Sequence, residues 1–202
     1  GMKLYTYPGG TFALNDTTIT KMNIRNSVCE QWNSELIWGL SGRTVVDLQR
    51  QTMTYLDPEN IPFGAKGRVA PTLKMAELFY TENGVPIEED KTLDFTNKTA
   101  LREATHAERL NLIEGFQTAR INFDREPRFY ASVAYNGCTW FRLSALDPNL
   151  RSKQIFYYRG EPDGKQLAEI EDHEGHDPHG GGQGRGHAAH VPLGEDQGRG
   201  QG

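Results

Sequence analysis

From Glu171 to Gly202 the chain contains no Phe, Trp or Tyr and only four aliphatic side chains, Ala188, Ala189, Val191 and Leu193. Such a segment buries too little apolar surface to offset an ordering cost of roughly 1–2 kcal/mol per residue. The tetrapeptide Gln-Gly-Arg-Gly begins at both 183 and 197, as expected of low-complexity sequence. The foldable body therefore spans residues 1–165, and residues 166–202 read as a His/Gly-rich, disordered tail. A shifted reading frame at the gene end would produce the same change of composition.

With 202 residues in all, the body is of a size for one domain with a real core. The 22 basic and 27 acidic residues give a formal charge of −5 without long single-sign runs, which speaks against nucleic acid as a partner. No stretch approaches the roughly 18 uninterrupted apolar residues of a membrane span. The N-terminal GMKLYTYPGG lacks the basic-then-apolar pattern of a signal peptide, and Gly1 ahead of Met2 suggests a fragment or processed form. Cys29 and Cys138 belong to no C-x-x-C pair. Both read as small buried residues, with a disulfide between them left open.

Along the body, the Thr- and Asn-rich stretch from Lys3 to Leu40 predicts irregular structure, closed by a buried strand over Ser34 to Leu40. Prolines and glycines between Leu56 and Gly67 predict a loop. Leu73, Ala76 and Tyr80 recur at helical spacing between Pro71 and the Asn83-Gly84 stop, predicting a helix over residues 71–82. Leu101, Ala104, Leu110 and Ile113 predict a second helix over Thr99 to Gly115. Glu126-Pro127 predicts an extended entry, and Asn136-Gly137 a hairpin joining Arg128–Tyr135 to Cys138–Leu143. A last strand is expected over Gln154 to Tyr158, closed by the turn Glu161-Pro162-Asp163-Gly164. The fold class is thus mainly α with short β-strands, a hairpin and long loops.

The tail histidines His173, His176 and His179, with His187 and His190 behind them, form a ligand-rich composition. Pro178 and the glycines prevent the helix that would fix their geometry, so adventitious metal binding is the most they imply, and no cofactor is expected. Carboxylates at Glu88 to Asp90, Asp94, Asp124 and Glu126 could form an acid/base pair of a carbohydrate-active enzyme. The simpler reading makes 88–90 a solvated loop, and Asp124, Arg125, Glu126 and Arg128 a local ion-pair network. Exposed aromatic rings stack on sugar faces. Trp32 and Trp140 are the least core-like by context, and with Tyr135 they are the candidate ligand-binding residues.

Two segments carry a family resemblance. Val69-Ala70-Pro71-Thr72-Leu73-Lys74-Met75-Ala76-Glu77-Leu78-Phe79-Tyr80, followed by Asn83-Gly84-Val85-Pro86-Ile87, resembles the helix-and-turn signature of SusD/RagB nutrient-binding proteins of the Bacteroidetes outer membrane. Asn122-Phe123-Asp124-Arg125-Glu126-Pro127-Arg128-Phe129-Tyr130-Ala131-Ser132-Val133, with Gly137 and Trp140 behind it, resembles that family's second motif. With Asn33 to Trp38 ahead of them, the resemblance covers roughly residues 30 to 160. It implies a partial SusD-like domain, taken from a surface lipoprotein that binds oligosaccharides or other nutrients without converting them. It also implies a SusC-like TonB-dependent transporter as partner. The chain lacks a lipobox cysteine and an N-terminal array of helical repeats, so it reads as an internal or C-terminal fragment of such a parent.

Overall fold

The computed structural model describes residues 3–9, 13–37, 39, 46–53, 67–142, 151–158 and 160–164. Helix α1 runs over Asp16–Cys29. It starts because Asn15 is extended and its Oδ1 accepts the Thr18 N–H at 2.9 Å, while Asp16 favours the positive helix end. This helix corrects the expectation of irregular structure over Lys3 to Leu40. The face it buries is Thr18, Lys21 and Met22, so it has helical spacing without an apolar stripe. Helix α2 follows at Val46–Thr52. The expected strand over Ser34 to Leu40 is also corrected, since residues 34–37 form turns and bends; Trp38 and Leu40 lie outside the described residues. Asn33 explains the turns: its amide donates to Ser27 O and Glu30 O, and its side-chain oxygen accepts from the Glu35 N–H.

Helix α3 occupies Leu73–Glu77, capped by Thr72, and is shorter than the 71–82 expected. The chain leaves it at Leu78 to form the bridge Tyr80↔Pro86 around the Asn83-Gly84 turn, in which Gly84 has φ +73°. No helix forms over Thr99 to Gly115. Strand β1, Leu101–Glu103, pairs antiparallel with β2, Gln117–Ala119, and only a 3-10 turn, His106–Glu108, lies between them. A reciprocal capping box between Thr105 and Glu108 closes that turn instead of opening a longer helix.

Helix α4, Pro127–Ser132, replaces the first arm of the expected hairpin. Glu126 is extended, as a residue before proline should be, but Pro127 then occupies the first helical position, where its missing N–H costs nothing. The aromatic run beyond Gly137 does form a strand, β3, Thr139–Phe141, which pairs instead with β4, Ser152–Gln154. The strand expected over Gln154 to Tyr158 is thus shifted toward the N-terminus, and the closing turn is a 3-10 turn over Pro162–Gly164. The expected loop at 56–67 and the tail lie outside the described residues, Gly67 excepted. The described chain is mainly helical with short strand pairs and no closed barrel.

Phe129, Phe123, Leu112 and Ile155 are almost fully buried, with Ala104, Tyr135 and Cys138 around them. Phe129 meets Phe79 and Tyr130 edge-on at centroid distances of 5.6 and 5.5 Å and stacks on Tyr135 at 5.5 Å. Both thiols are free. Cys138 is buried as expected, which pushes its thiol up to about 11, whereas Cys29 is exposed. Gly137 has φ +85°, and a Cβ there would stand 2.5 Å from the Phe116 ring. We expect Gly137→Ala to destabilise the domain by about 2–3 kcal/mol, combining left-handed backbone strain with displacement of a packed ring. Urea denaturation checks this; an unchanged midpoint would contradict the packing at the turn.

Candidate functional site

The two signature segments are held together as one clasp. Arg125 is 2% exposed. Its guanidinium donates to Ile121 O at 2.7 Å, Ala76 O at 2.6 Å, Phe79 O at 2.7 Å and Tyr80 O at 3.3 Å. Three of those carbonyls belong to α3 or the chain leaving it, so a cation satisfies acceptors that the helix end orphans. The guanidinium also lies 4.6 Å from the Phe129 ring centroid, and burial lowers its pKa. Beside it the Glu126 carboxylate accepts the Tyr80 N–H at 2.7 Å and takes a two-point ion pair from Arg128 at 2.6 and 3.0 Å. Backbone bonds from Glu82 N to Asp124 O and from Glu126 N to Tyr80 O complete the seam.

The local ion-pair reading of this motif is therefore corrected in part. Glu126 and Arg128 do pair, but Arg125 serves carbonyls, and Asp124 pairs with the distant Arg102 at 3.0 Å. Arg102 also reaches Glu108 at 2.8 Å and stacks over Phe123 at 4.2 Å. Asp124 has φ +54°, a left-handed conformation that aspartate tolerates better than most side chains.

Of the carboxylates considered for acid/base work, Asp90, Asp94, Asp124 and Glu126 are engaged in structure. Asp90 accepts from Thr81 Oγ1, Asn83 Nδ2, and the N–H and hydroxyl of Thr92 at 2.7–3.1 Å. Those donors hold it well below the usual carboxylate range, with the Thr92 hydroxyl the largest cause. Asp94 is likewise lowered, first by the Thr96 N–H. A general acid requires the opposite shift. Both aspartates line a cleft of about 390 Å³ beside Phe95.

The three candidate aromatics have different surroundings. Trp32 is 62% exposed, in the turn after α1, with φ +61°. Trp140, in β3, is half-buried, and the Arg25 guanidinium covers one ring face at 3.8 Å from its centroid. Tyr135 belongs to the core; its hydroxyl donates to Asn111 O at 3.3 Å, and burial pushes its pKa far up. Among the described residues no ring–ring contact links the three.

What the sequence reading missed is the cationic face of α1. Lys21 is buried and donates to Leu110 O at 2.6 Å; burial, assisted by Arg25 one turn on, pulls its ammonium down to about 8. Arg25 donates to Ala131 O at 3.1 Å and Phe141 O at 2.8 Å, fastening α1 to α4 and β3. The spacing 18, 21, 22, 25 was the available signal. Among the described residues no group of three or more His, Cys, Asp or Glu side chains could hold a metal; His173, His176 and His179 lie outside them.

The clasp joins two sequence motifs more than forty residues apart. The chain belongs to the SusD family, whose sequence model matches residues 34–183, well over half of its length. That membership places it among proteins that bind nutrients in outer-membrane uptake systems. No curated relative matches the chain. No described helix is long and apolar enough to cross a membrane.

Proposed function

We propose that the chain is the capture part of a surface nutrient-binding lipoprotein. It holds an oligosaccharide without converting it and delivers it to a SusC-like TonB-dependent transporter. Residues 1–165 form the binding body, and residues 166–202 take no part in capture. Family membership supports capture, and one local observation supports the site: Trp32 is a bulky, exposed aromatic held at φ +61°. Side chains of that size rarely adopt such a backbone, and strain of this kind clusters at ligand contacts. Trp32 supplies a stacking face and Trp140 a second ring edge, and Tyr135 belongs to the core cluster against which Trp140 packs.

Replacing Trp32 separates function from structure. Trp32→Gly relieves the left-handed strain, so stability should stay within about 1 kcal/mol of the parent. Loss of the ring should weaken glycan binding about two- to tenfold, from the roughly 0.5–1.5 kcal/mol an aromatic stacking contact contributes beyond its buried area. Titration calorimetry against glycans selected on an array reads both the affinity and the stoichiometry. Unchanged affinity in the variant would remove Trp32 from the site.

A further inference from the structure

A cleft of about 460 Å³ opens between the start of α1, the turn at Arg109 and the β3–β4 pair. That is within the range of small-molecule sites. Among the described residues its lining includes Lys21, Arg109 and Arg151 and no Asp or Glu, in a chain whose formal charge is −5. Lys21 is the most informative of the three. It is only 3% exposed, its ammonium has three donors, and among the described residues its one acceptor is Leu110 O. It forms no ion pair with a described carboxylate. Arg25, one turn further along α1, brings a second cation whose acceptors are backbone carbonyls. The first turn of this 14-residue helix adds its positive end, with Asn15 and Thr18 in the lining.

Burying the Lys21 ammonium without an ion pair to a described carboxylate is costly, and an anion in the cleft offsets that cost. Asn15, Ser152 and Gln154 add neutral donors and acceptors of the kind that meet sugar hydroxyls. We propose that this cleft binds the acidic group of an anionic saccharide, a carboxylate or sulfate, against Lys21 and Arg109. The assignment rests on the capture reading and narrows its ligand class.

The test is titration calorimetry of the full chain with trigalacturonate, a sulfated trisaccharide and an uncharged trisaccharide, with inorganic sulfate alongside. At least one acidic trisaccharide should bind about tenfold or more tighter than the uncharged one, as one charge-assisted contact provides. Whichever does so tells carboxylate from sulfate. Lys21→Met fills the same stem volume and should remove that advantage, and the exposed-rim variant Arg109→Gln should reduce it without disturbing the fold. Equal affinity for charged and uncharged sugars overturns the cleft assignment and leaves capture standing, as does a preference that survives both substitutions. Inorganic sulfate binding as tightly as either acidic sugar, with its binding lost in Lys21→Met, overturns the saccharide assignment. Silence toward every acidic probe overturns the proposal outright.

Discussion

Arg125→Ala should destabilise the domain by about 4 kcal/mol or more, the largest effect of any single substitution considered. Four backbone carbonyls lose a charged donor at once, three of them in α3 or the chain leaving it, and of the four Tyr80 O keeps the Glu126 N–H. A buried acceptor left without a partner costs about 1–3 kcal/mol, and water entering the seam recovers only part of it. Against a typical domain stability of about 5–15 kcal/mol the loss is severe. Arg125→Lys keeps the charge but lacks the planar fork, so it should recover less than half. Arg128→Ala is the control. That side chain is 59% exposed, its ion pair with Glu126 is solvent-screened, and its loss should cost under about 1 kcal/mol. Urea titrations followed by circular dichroism rank the three; Arg125→Ala falling beside Arg128→Ala would refute the clasp.

Phe129→Ala should cost about 3–5 kcal/mol, because its ring is fully buried and the surrounding shell is aromatic on three sides. The near-ultraviolet dichroism of Tyr130 and Tyr135 should collapse with it, since both rings pack against Phe129. The Arg125 guanidinium sits over the same ring, so the two substitutions should not be additive. A double variant costing the plain sum of the two would mean that clasp and core are independent. A cost for Phe129→Ala near 1 kcal/mol would mean that the core is centred elsewhere.

The clasp explains why the sequence motifs were legible while most of the secondary structure was not. Asn83-Gly84 and Glu126-Pro127 announce local chain path through turn chemistry, but the first turns the Tyr80↔Pro86 bridge instead of stopping a helix, and Pro71 precedes α3, which Thr72 caps. Helical periodicity was less reliable. Leu101, Ala104, Leu110 and Ile113 have the spacing of a helix, yet Ala104 and Ile113 are buried from an extended pair and a turn, and Leu101 is 59% exposed. The reverse holds for α1, whose buried face is Thr18, Lys21 and Met22, with Arg25 following. Its packing is made by cations on backbone carbonyls, which no hydrophobicity pattern records. Among the site candidates, the context of Trp32 beside polar neighbours pointed to an exposed ring, and it is exposed. Tyr135, equally aromatic in sequence, is drawn into the core by Phe129, just across the end of α4, and by Asn111, a partner too distant in sequence for spacing to reveal.

The decisive question is whether this chain captures a glycan and returns it unchanged. Calorimetric titration of the full chain with array-selected oligosaccharides, followed by chromatography of the recovered sugar, measures both halves together. The prediction is saturable binding at one site per chain, with the oligosaccharide recovered at its original length. Shortened products that vanish on replacing Asp124 and Glu126 would contradict it in favour of an enzyme, and a folded chain that binds no glycan would contradict capture by this part of the protein.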